Sequence, residues 1–397
     1  MAKKILIFST AYLPLVGGAE IAVKELTDRL ANPLGKGGRA FGWNFDLITA
    51  RLKKDLPKQE RIVQITVYRL GSGRFLDKFL LPFFGLLKAL ALNRKNNYAI
   101  IWSIMASQAS IAAAFLKIFF PKKKLILNLQ EGDEESHLTR YVKGNIFLYK
   151  FFVRPGHLLV FKKADLITAI SADLKVRAEK NGVKAAILVI PNGVNLQRFK
   201  RPEAVKNKEL KNKLGWAEAD KIIITISRLV KKNGVGDLIE AMRYLPAEVK
   251  LLIIGGGELK ESLESKISSL PGGEARIKMA GAIKNEAIPG YLALADIFVR
   301  PSLSEGLGIS FLEAMAADVP VIGTAVGGIV DFLKDGETGL FCQAGNPKSI
   351  AEKIKACLEN KELAAKIRQQ AGRLVAKNYD WDLIAKKTKE IFEKIIV

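Results

Sequence analysis

Glu305 and Glu313 are separated by seven residues in a glycine-containing stretch. An apolar run ends just before them, and Gly306 and Gly308 follow Glu305. This order predicts a buried strand, a loop that carries Glu305, and a helix that carries Glu313. Backbone amides between Gly306 and Ser310 would then face a bound anion, and the Glu313 carboxylate could accept two hydrogen bonds from a diol such as ribose. Ordinary glutamates at a helix entry would fit the same spacing.

A cation-rich loop is predicted after the apolar run Lys221–Ile226, where Arg228, Lys231 and Lys232 lie close together. Open α/β sheets bind ligands at the carboxyl ends of their strands, and cations at that place could neutralise a diphosphate. Whether Lys231 or Lys232 would reach the phosphates is open. A solvated basic loop is the alternative interpretation.

Glycines follow two further predicted strands. The sequence Gly17-Gly18-Ala19-Glu20 lies where the first strand gives way to a helix, so the amide of Gly18 could face a phosphate, or the glycines could simply fit the helix against the sheet. For Gly255-Gly256-Gly257 we expect a packing turn, since the spacing is not that of a dinucleotide-binding loop.

Short apolar runs alternate with helical periods through most of the 397 residues, the pattern of strands joined by crossover helices. The length suits two domains, and a turn cluster at Pro191–Asn195 predicts the boundary near residue 190. The expected fold class is therefore α/β, with two doubly wound parallel sheets. The predicted strands are Lys4–Ser9, Phe45–Thr49, Arg61–Tyr68, Tyr98–Ile104, Lys124–Leu129, Asp165–Ile170, Ala186–Ile190, Lys221–Ile226, Val249–Ile254, Arg276–Ala280, Asp296–Val299 and Pro320–Gly323.

The charge and the cysteine and histidine content of the chain limit the kinds of molecule that it is expected to bind. The formal net charge is +23, and residues 1–190 hold 31 Lys and Arg against 14 Asp and Glu. Phosphorylated substrates, membrane headgroups or a merely solvated basic surface fit this charge, whereas nucleic-acid-binding motifs are missing from the sequence. With two cysteines and two histidines, neither a disulfide framework nor a His/Cys metal site is expected, and a reducing compartment such as the cytoplasm fits best.

Two apolar segments raise the question of a membrane. Tyr98–Phe120 is long enough to span a bilayer, but its polar interruptions favour a strand followed by a helix. In Arg74–Lys95, phenylalanines and leucines are interleaved with lysine and arginine, as in a segment that lies at a membrane interface. Peripheral association with an anionic membrane is therefore a further expectation.

Several motifs together resemble the family 4 (group 1) retaining glycosyltransferases. The central stretch is SEGLGISFLEAMAADVPVIGTAVGGI, preceded by ADIFVRPSL and followed by DGETGLF. The motifs GGAE, VIPNGVN, SRLVKKNG, GGGELKESLE and a late YDW fall in the family's order. The resemblance covers nearly the whole chain and is strongest between Lys221 and Gln343.

The resemblance implies a GT-B fold, with two Rossmann-like domains facing each other across a cleft. Residues 1–190 would form the acceptor domain, residues 191–379 the donor domain, and the helix 380–397 would pack back on the first. It also implies transfer of a sugar from a nucleotide-diphosphate donor to an acceptor, with retention at the anomeric carbon and without a cofactor or metal. The basic N-terminal half with its aromatic side chains adds the expectation that the acceptor is a glycan or lipid-linked molecule at the inner face of a membrane.

Site residues carried over from the family fall into a donor set and an acceptor set. Arg228 and Lys232 would hold the diphosphate and Glu305 the donor sugar, and these three form the catalytic set. Other expected donor contacts are Gly18, Ala282, Ile283, Gly306, Leu307, Gly308, Ile309, Ser310 and the ribose-binding Glu313. On the acceptor side the candidates are Glu20, Gln130, Glu131 and Asp133.

One departure from the family leaves a second hypothesis open. The family often places a histidine where this chain has Gln130-Glu131-Gly132-Asp133. Glu131 or Asp133 could take over a polar role there, or the segment could be a solvated acidic turn. The missing histidine keeps alive the alternative of a catalytically silent nucleotide-sugar-binding protein.

Overall fold

The computed structural model describes residues 3–15, 17–31, 42–130, 154–180, 182–199 and 205–396. The chain divides into two compact units. Unit 1 comprises Met1–Asn192 and Trp381–Val397, and unit 2 comprises Gly193–Asp380. The sequence placed the boundary near residue 190 and the start of the returning helix at residue 380.

Unit 1 is built on an eight-stranded sheet with the order β3-β4-β2-β1-β5-β6-β7-β8. Every neighbouring pair is parallel except β3 and β4. The strands are β1 (Lys4–Phe8), β2 (Asn44–Ala50), β3 (Gln59–Ile62), β4 (Ile65–Leu70), β5 (Tyr98–Ile104), β6 (Lys124–Leu129), β7 (Leu166–Ala169) and β8 (Ala186–Val189).

Helices cover both faces of this sheet, which is why its central strands are apolar without alternation. On β1, Ile5 and Ile7 belong to one core cluster while Leu6 and Phe8 belong to another. The described helices of unit 1 are α1 (Gly18–Ala31), α2 (Asp77–Lys95), α3 (Gln108–Phe119), α4 (Arg154–Lys163), α5 (Ala172–Lys180) and α14 (Trp381–Ile395).

Helix α14 returns to unit 1 after the whole of unit 2. It packs beside α1, where Arg29 donates a hydrogen bond of 2.6 Å to Asp382. The Phe392 ring meets Trp43 and Trp102 edge to face, with centroid separations of 5.8 and 5.4 Å. The buried aromatic and aliphatic side chains of α14 therefore complete one face of the sheet.

Unit 2 contains a six-stranded parallel sheet with the order β11-β10-β9-β12-β13-β14. The strands are β9 (Lys221–Ile226), β10 (Val249–Ile254), β11 (Ile277–Gly281), β12 (Ile297–Arg300), β13 (Val321–Thr324) and β14 (Leu340–Cys342). The described α-helices are α6 (Val205–Leu214), α7 (Val235–Ala241), α8 (Lys260–Ser268), α9 (Gly273–Arg276), α10 (Ile288–Leu292), α11 (Ile309–Ala316), α12 (Pro347–Glu359) and α13 (Lys361–Asn378).

The strand orders identify where each unit can bind a ligand. In unit 2 the chain moves outward from β9 to β11 on one side and from β12 to β14 on the other, so the order reverses between β9 and β12. In unit 1 the corresponding reversal lies between β1 and β5. Ligands of open α/β sheets bind at such reversals, outside the carboxyl ends of the strands.

One predicted strand is two in the structure. The expected strand Arg61–Tyr68 is a hairpin of β3 and β4, because Val63 adopts a φ of 48° and turns the chain back on itself. The segment Tyr98–Phe120 is divided between β5 and α3, as the polar interruptions predict. In the part of the chain that the structure describes, no helix has the length and apolarity needed to cross a bilayer.

Candidate functional site

Two loops meet at the strand-order reversal of unit 2. The first follows β9 and carries Arg228 and Lys232, and the second follows β12 and carries Glu305. The backbone amide of Leu303 donates a hydrogen bond of 2.7 Å to the carbonyl oxygen of Lys232, which joins the two loops directly. The candidate cations and Glu305 therefore lie on connected pieces of backbone within one unit.

The cation loop is shaped from inside by Asn233, whose side chain is buried and donates a hydrogen bond of 2.7 Å to the carbonyl oxygen of Arg228. The side chain of Arg228 is exposed, that of Lys232 is half-buried, and that of Lys231 is exposed. Since the backbone of Lys232 is the one tied to the Glu305 loop, Lys232 is the better placed of the two lysines.

The triple glycine supports this loop from the other side. A Cβ atom on Gly255 would lie 1.8 Å from the carbonyl oxygen of Ser227, and one on Gly257 would lie 2.5 Å from that of Leu229. The amide of Leu229 in turn donates to the carbonyl oxygen of Gly256 at 2.9 Å. These contacts are those of a packing turn, as the sequence predicts.

Glu305 is held by an ion pair with Arg300, the last residue of β12. Its other carboxylate oxygen accepts a hydrogen bond of 3.1 Å from the amide of Gly306. The backbone carbonyl of Glu305 accepts from Gly328 at 3.1 Å, and a Cβ atom on Gly327 would lie 1.9 Å from that same oxygen. Side chain and backbone of Glu305 are therefore both fixed by neighbouring loops.

The loop continues into α11 through Gly308, which has a left-handed φ of 90°. A Cβ atom on Gly308 would lie 2.9 Å from the Phe311 ring and 3.1 Å from Nη2 of Arg300. Glycine is therefore required both for the turn and for the space. The first turn of α11, which contains Ile309 and Ser310, presents backbone N–H groups that have no partner within the helix and can bind an anion.

The predicted ribose ligand Glu313 lies in the second turn of α11 and is half-buried. Burial raises its pKa from 4.5 to about 7, although the positive charges of Arg198 and Arg300 act in the opposite direction. The carboxylate is therefore costly to keep charged in the absence of a hydrogen-bonding ligand.

The predicted base contacts lie after β11, two strands away from β9. Ala282 is exposed and Ile283 is half-buried. A Cβ atom on Gly256 would lie 3.9 Å from that of Ala282, so the β11 loop adjoins the triple-glycine turn. On the opposite side of the reversal lie Gly306, Leu307, Gly308, Ile309 and Ser310, of which Leu307 has a buried side chain.

In unit 1, Gly18 begins α1 at the strand-order reversal. The buried carboxylate of Glu20 bends back toward the glycine pair, since a Cβ atom on Gly17 would lie 2.6 Å from its Oε2 atom. Gly18 therefore offers a backbone donor at a helix start, and the Glu20 side chain is buried against the same turn, so its acceptor role stays a prediction.

Gln130 follows β6 and forms a reciprocal amide pair with Asn192, with hydrogen bonds of 2.7 and 3.2 Å. Its Nε2 atom also donates to Asn128 at 2.6 Å, and Asn128 donates to Thr168 at 2.8 Å. This network borders a cavity of about 20 Å³, which has room for about one water molecule. Glu131 and Asp133 lie outside the described residues.

Sequence reasoning missed Arg300 and Arg198. Arg300 ends an apolar strand and is 6% exposed, and such a charge in a buried run is a signal that could have been used. Arg198 donates a hydrogen bond to the carbonyl oxygen of Asn285 and lies 5.1 Å from the centroid of the Phe199 ring. The electrostatic interaction between Arg198 and Glu313 joins residues far apart in the sequence, so no local sequence pattern predicts it.

Comparison with known proteins gives matches along almost the entire chain. The model of glycosyl transferases group 1 matches residues 206–374, and that of glycosyltransferase family 4 matches residues 16–198. An uncharacterized glycosyltransferase of Methanocaldococcus jannaschii is 30% identical, over 98% of both chains. The GDP-mannose-dependent alpha-(1-6)-phosphatidylinositol monomannoside mannosyltransferase of Mycobacterium tuberculosis is 30% identical over 56% of this chain and 60% of its own.

Solved structures agree on the fold. Sucrose-phosphate synthase from Thermosynechococcus elongatus has a TM-score of 0.79 at 20% identity, and each chain is covered to 99%. The HepE protein of Anabaena, solved in complex with UDP-glucose, has a TM-score of 0.78 at 19% identity, with 98% of this chain and 99% of that chain covered. The two units are thus the Rossmann-like halves of a GT-B fold. With both halves matched and a relative similar over its full length, the chain belongs to the group 1 (family 4) glycosyltransferases.

Proposed function

We propose that this glycosyltransferase transfers a sugar from a nucleotide-diphosphate donor to a glycan or lipid-linked acceptor, with retention at the anomeric carbon and without a metal or other cofactor. The observation that carries the proposal is the joining of the Arg228–Lys232 loop to the Glu305 loop at the strand-order reversal of unit 2. Cations, loop amides and a fixed carboxylate are there brought to one place within a single folded unit.

Departure of a nucleoside diphosphate builds up negative charge on its terminal phosphate. Arg228 and Lys232 would stabilise this charge together with the amides at the start of α11, and the Gly18 amide in unit 1 is a further candidate donor. The bond from the anomeric carbon to the diphosphate oxygen breaks, the acceptor oxygen bonds to that carbon on the same face, and the acceptor proton passes to the diphosphate. Fixed cations would supply the charge stabilisation that Mg²⁺ gives in other transferases.

Glu305 would bind hydroxyl groups of the donor sugar, because both of its oxygens are already oriented by Arg300 and Gly306 and retain further acceptor capacity. Glu313 would bind the ribose hydroxyls, which would compensate its buried charge. Backbone near Ala282 and Ile283 would contact the base.

The donor class can be tested by thermal shift with UDP-, GDP- and ADP-sugars, since a ligand that binds the folded state raises the melting temperature. We expect one nucleotide class to stabilise the protein and Glu305→Ala to lower the rate of transfer strongly, leaving a measurable residual rate, while the free nucleoside diphosphate still binds. Addition of EDTA should leave turnover unchanged, and the anomeric configuration of the product reports retention. Stabilisation without turnover on any acceptor would favour the silent binding protein.

The proposal of a lipid-linked acceptor at a membrane depends on the exposed outer face of α2. Together with the two residues that precede the helix, this face comprises side chains that are 40–66% exposed, at spacings of three and four residues: Phe75, Leu76, Phe79, Leu80, Phe83, Phe84 and Leu87. The opposite side of α2 is buried in unit 1. A surface helix that is apolar on both sides needs a second apolar environment.

The charge of α2 favours an anionic lipid surface. Between Gly71 and Tyr98 the sequence contains basic side chains but only one acid, Asp77, and Asp77 is buried. Lys78 lies 3.6 Å from the Phe75 ring centroid and 5.0 Å from that of Phe79, so positive charge accompanies the apolar side chains. The M. tuberculosis relative is named as a phosphatidylinositol monomannoside mannosyltransferase, which supports a membrane-embedded acceptor. We place the enzyme at the cytoplasmic face of a membrane.

Cosedimentation with vesicles tests this placement. The protein should bind phosphatidylcholine vesicles that contain phosphatidylglycerol and leave pure phosphatidylcholine vesicles in solution. Phe83→Asp should weaken binding about tenfold or more, since burying one phenylalanine contributes about 1.5–3 kcal/mol. Val176→Asp, which changes a 45% exposed side chain on α5, is the matched control and should bind as before. Equal binding to both kinds of vesicle, or an equal loss of binding in both variants, would contradict the proposed association with a membrane.

A further inference from the structure

Arg300 is a buried cation at the carboxyl end of β12, a strand whose other residues are apolar. Its side chain is 7% exposed, and the neighbouring Phe298 and Val299 are fully enclosed. Burying a guanidinium costs free energy unless its donors are paired. The contacts that compensate this burial show what the residue is used for.

The closest partners of Arg300 come from the loop and helix that follow it, and a longer hydrogen bond of 3.5 Å reaches the carbonyl oxygen of Ile226 on β9. One guanidinium nitrogen pairs with Glu305, and the other donates a hydrogen bond of 2.8 Å to Oγ of Ser310. The guanidinium carbon lies 4.8 Å from the centroid of the Phe311 ring. Arg300 thus connects the end of β12 to the Glu305 loop and to the first turn of α11.

Arg300 is covered by the loop that it supports. A Cβ atom on Gly308 would lie 3.1 Å from Nη2 of Arg300, so the backbone of Gly308 packs against the guanidinium. A ligand in front of the loop would meet the amides of Gly308 and Ile309 before it met this side chain. Any influence of Arg300 on a bound donor therefore passes through Glu305 and the loop.

We infer that Arg300 is a positioning residue for Glu305: one arm of its planar guanidinium holds the carboxylate in the orientation that binds the donor sugar, while the other arm is anchored on Ser310. The inference rests on the donor-sugar role proposed above for Glu305. A guanidinium suits this task because its donors lie in one rigid plane and can hold two partners at once, whereas a lysine offers one compact charge. A displacement of about 1 Å at a reacting group costs up to about a hundredfold in rate, so this orientation matters for turnover.

The test compares Arg300→Met and Arg300→Lys with the parent enzyme at saturating donor. We expect Arg300→Met to lower kcat about 10- to 100-fold and to weaken the binding of UDP and GDP by a clearly smaller factor, because Glu305 is proposed to contact the sugar, whereas Arg300 would affect the nucleotide only indirectly, through Ser310 and the charge on Glu313. Arg300→Lys should recover part of kcat, since it keeps the charge and loses the fork.

A matched control separates positioning from folding. Arg276 is likewise partly enclosed and donates to the carbonyl oxygens of Val249, Leu245 and Pro246, away from both loops. Arg276→Met should lower the melting temperature and leave kcat unchanged. If Arg300→Met itself fails to fold, Arg300→Lys carries the test, alone and in a Glu305→Ala background.

The decisive measurement is a double-mutant cycle with Glu305. In a Glu305→Ala background, Arg300→Met should change the residual kcat less than about twofold, because the residue through which it acts is gone. Independent, multiplying effects, or a kcat of Arg300→Met within about threefold of the parent, would overturn the inference. Full activity of Glu305→Ala alone would instead refute the role proposed for Glu305.

Discussion

A methyl group on Gly234 would lie 2.0 Å from the carbonyl oxygen of Pro301. Gly234 ends the cation loop with a φ of 67°, and Pro301 begins the Glu305 loop. The closeness of the two loops therefore depends on a position that tolerates no side chain.

Gly234→Ala should force these loops apart. We expect a loss of about 1–3 kcal/mol in the free energy of unfolding, from the left-handed backbone and the steric overlap, together with weaker binding of nucleoside diphosphates. Gly236→Ala is the control, because a methyl group there would meet Leu263 at an ordinary 3.8 Å and the residue is helical. That variant should keep full stability, and equal losses in both would contradict the prediction.

The raised pKa of Glu313 predicts a specific pH dependence. A carboxyl group with a folded-state pKa of about 7 and an ordinary value of 4.5 binds its proton more tightly in the folded protein. Its destabilising effect is therefore complete above about pH 7 and is relieved as the pH falls toward 4.5. Glu313→Gln should be more stable than the parent by about 1–3 kcal/mol at pH 8, and the difference should vanish near pH 4. Denaturation at both pH values measures this, and parallel pH profiles would refute it.

Phe392 should be essential for the stability of unit 1, because its ring fills the space between Trp43 and Trp102. We expect Phe392→Ala to cost about 3–5 kcal/mol and to change the tryptophan fluorescence of the folded protein. Glu393→Ala alters the next side chain, which is half exposed and forms a surface ion pair with Lys389 at 3.6 Å, and should be nearly neutral. A comparable loss in the two variants would show that the aromatic contact is unimportant.

Asp77 fixes the start of α2 by accepting hydrogen bonds from the amides of Gly73 and Arg74 at 2.7 and 2.9 Å. Burial opposes its ionisation, but these amides and the Ser72 hydroxyl outweigh burial and hold its pKa below the ordinary 3.8. The resulting stability is present above that value and is lost as the pH falls through the lower folded-state pKa.

Asp77→Asn should therefore cost about 1–2 kcal/mol at neutral pH, and the cost should disappear in strong acid. The exposed Asp55 provides the control substitution Asp55→Asn, with an expected change below about 0.5 kcal/mol. Denaturant titrations over the acid range measure both variants, and a pH-independent cost would contradict the explanation.

Much of the fold could be predicted because buried parallel strands are continuous apolar runs. Tyr98–Ile104, Lys124–Leu129, Lys221–Ile226 and Val249–Ile254 begin and end where the sequence placed them. β14 was missed because it has only three residues, Leu340–Cys342, and its place beside β13 is set by tertiary packing. The β3–β4 hairpin was missed because nothing local marks Val63 as the turn.

The site residues also differ in how far the sequence alone could predict them. Glu305 and the loop to Ser310 carry a contiguous pattern of glycine, acid and apolar residues, so the sequence alone could place them at a strand end. The partners of Glu305 and Glu313 could not be predicted so directly. Arg300 reaches Glu305 from the strand below the loop, and Arg198 influences Glu313 from 115 positions away, which is visible only after folding.

Because α14 follows unit 2 in the chain, the ribosome makes it only after the second sheet has been synthesised. Until then the nascent unit 1 has Trp43 and Trp102 without the Phe392 ring that covers them. Unit 1 therefore leaves the ribosome first but completes its hydrophobic core last, because that core includes α14.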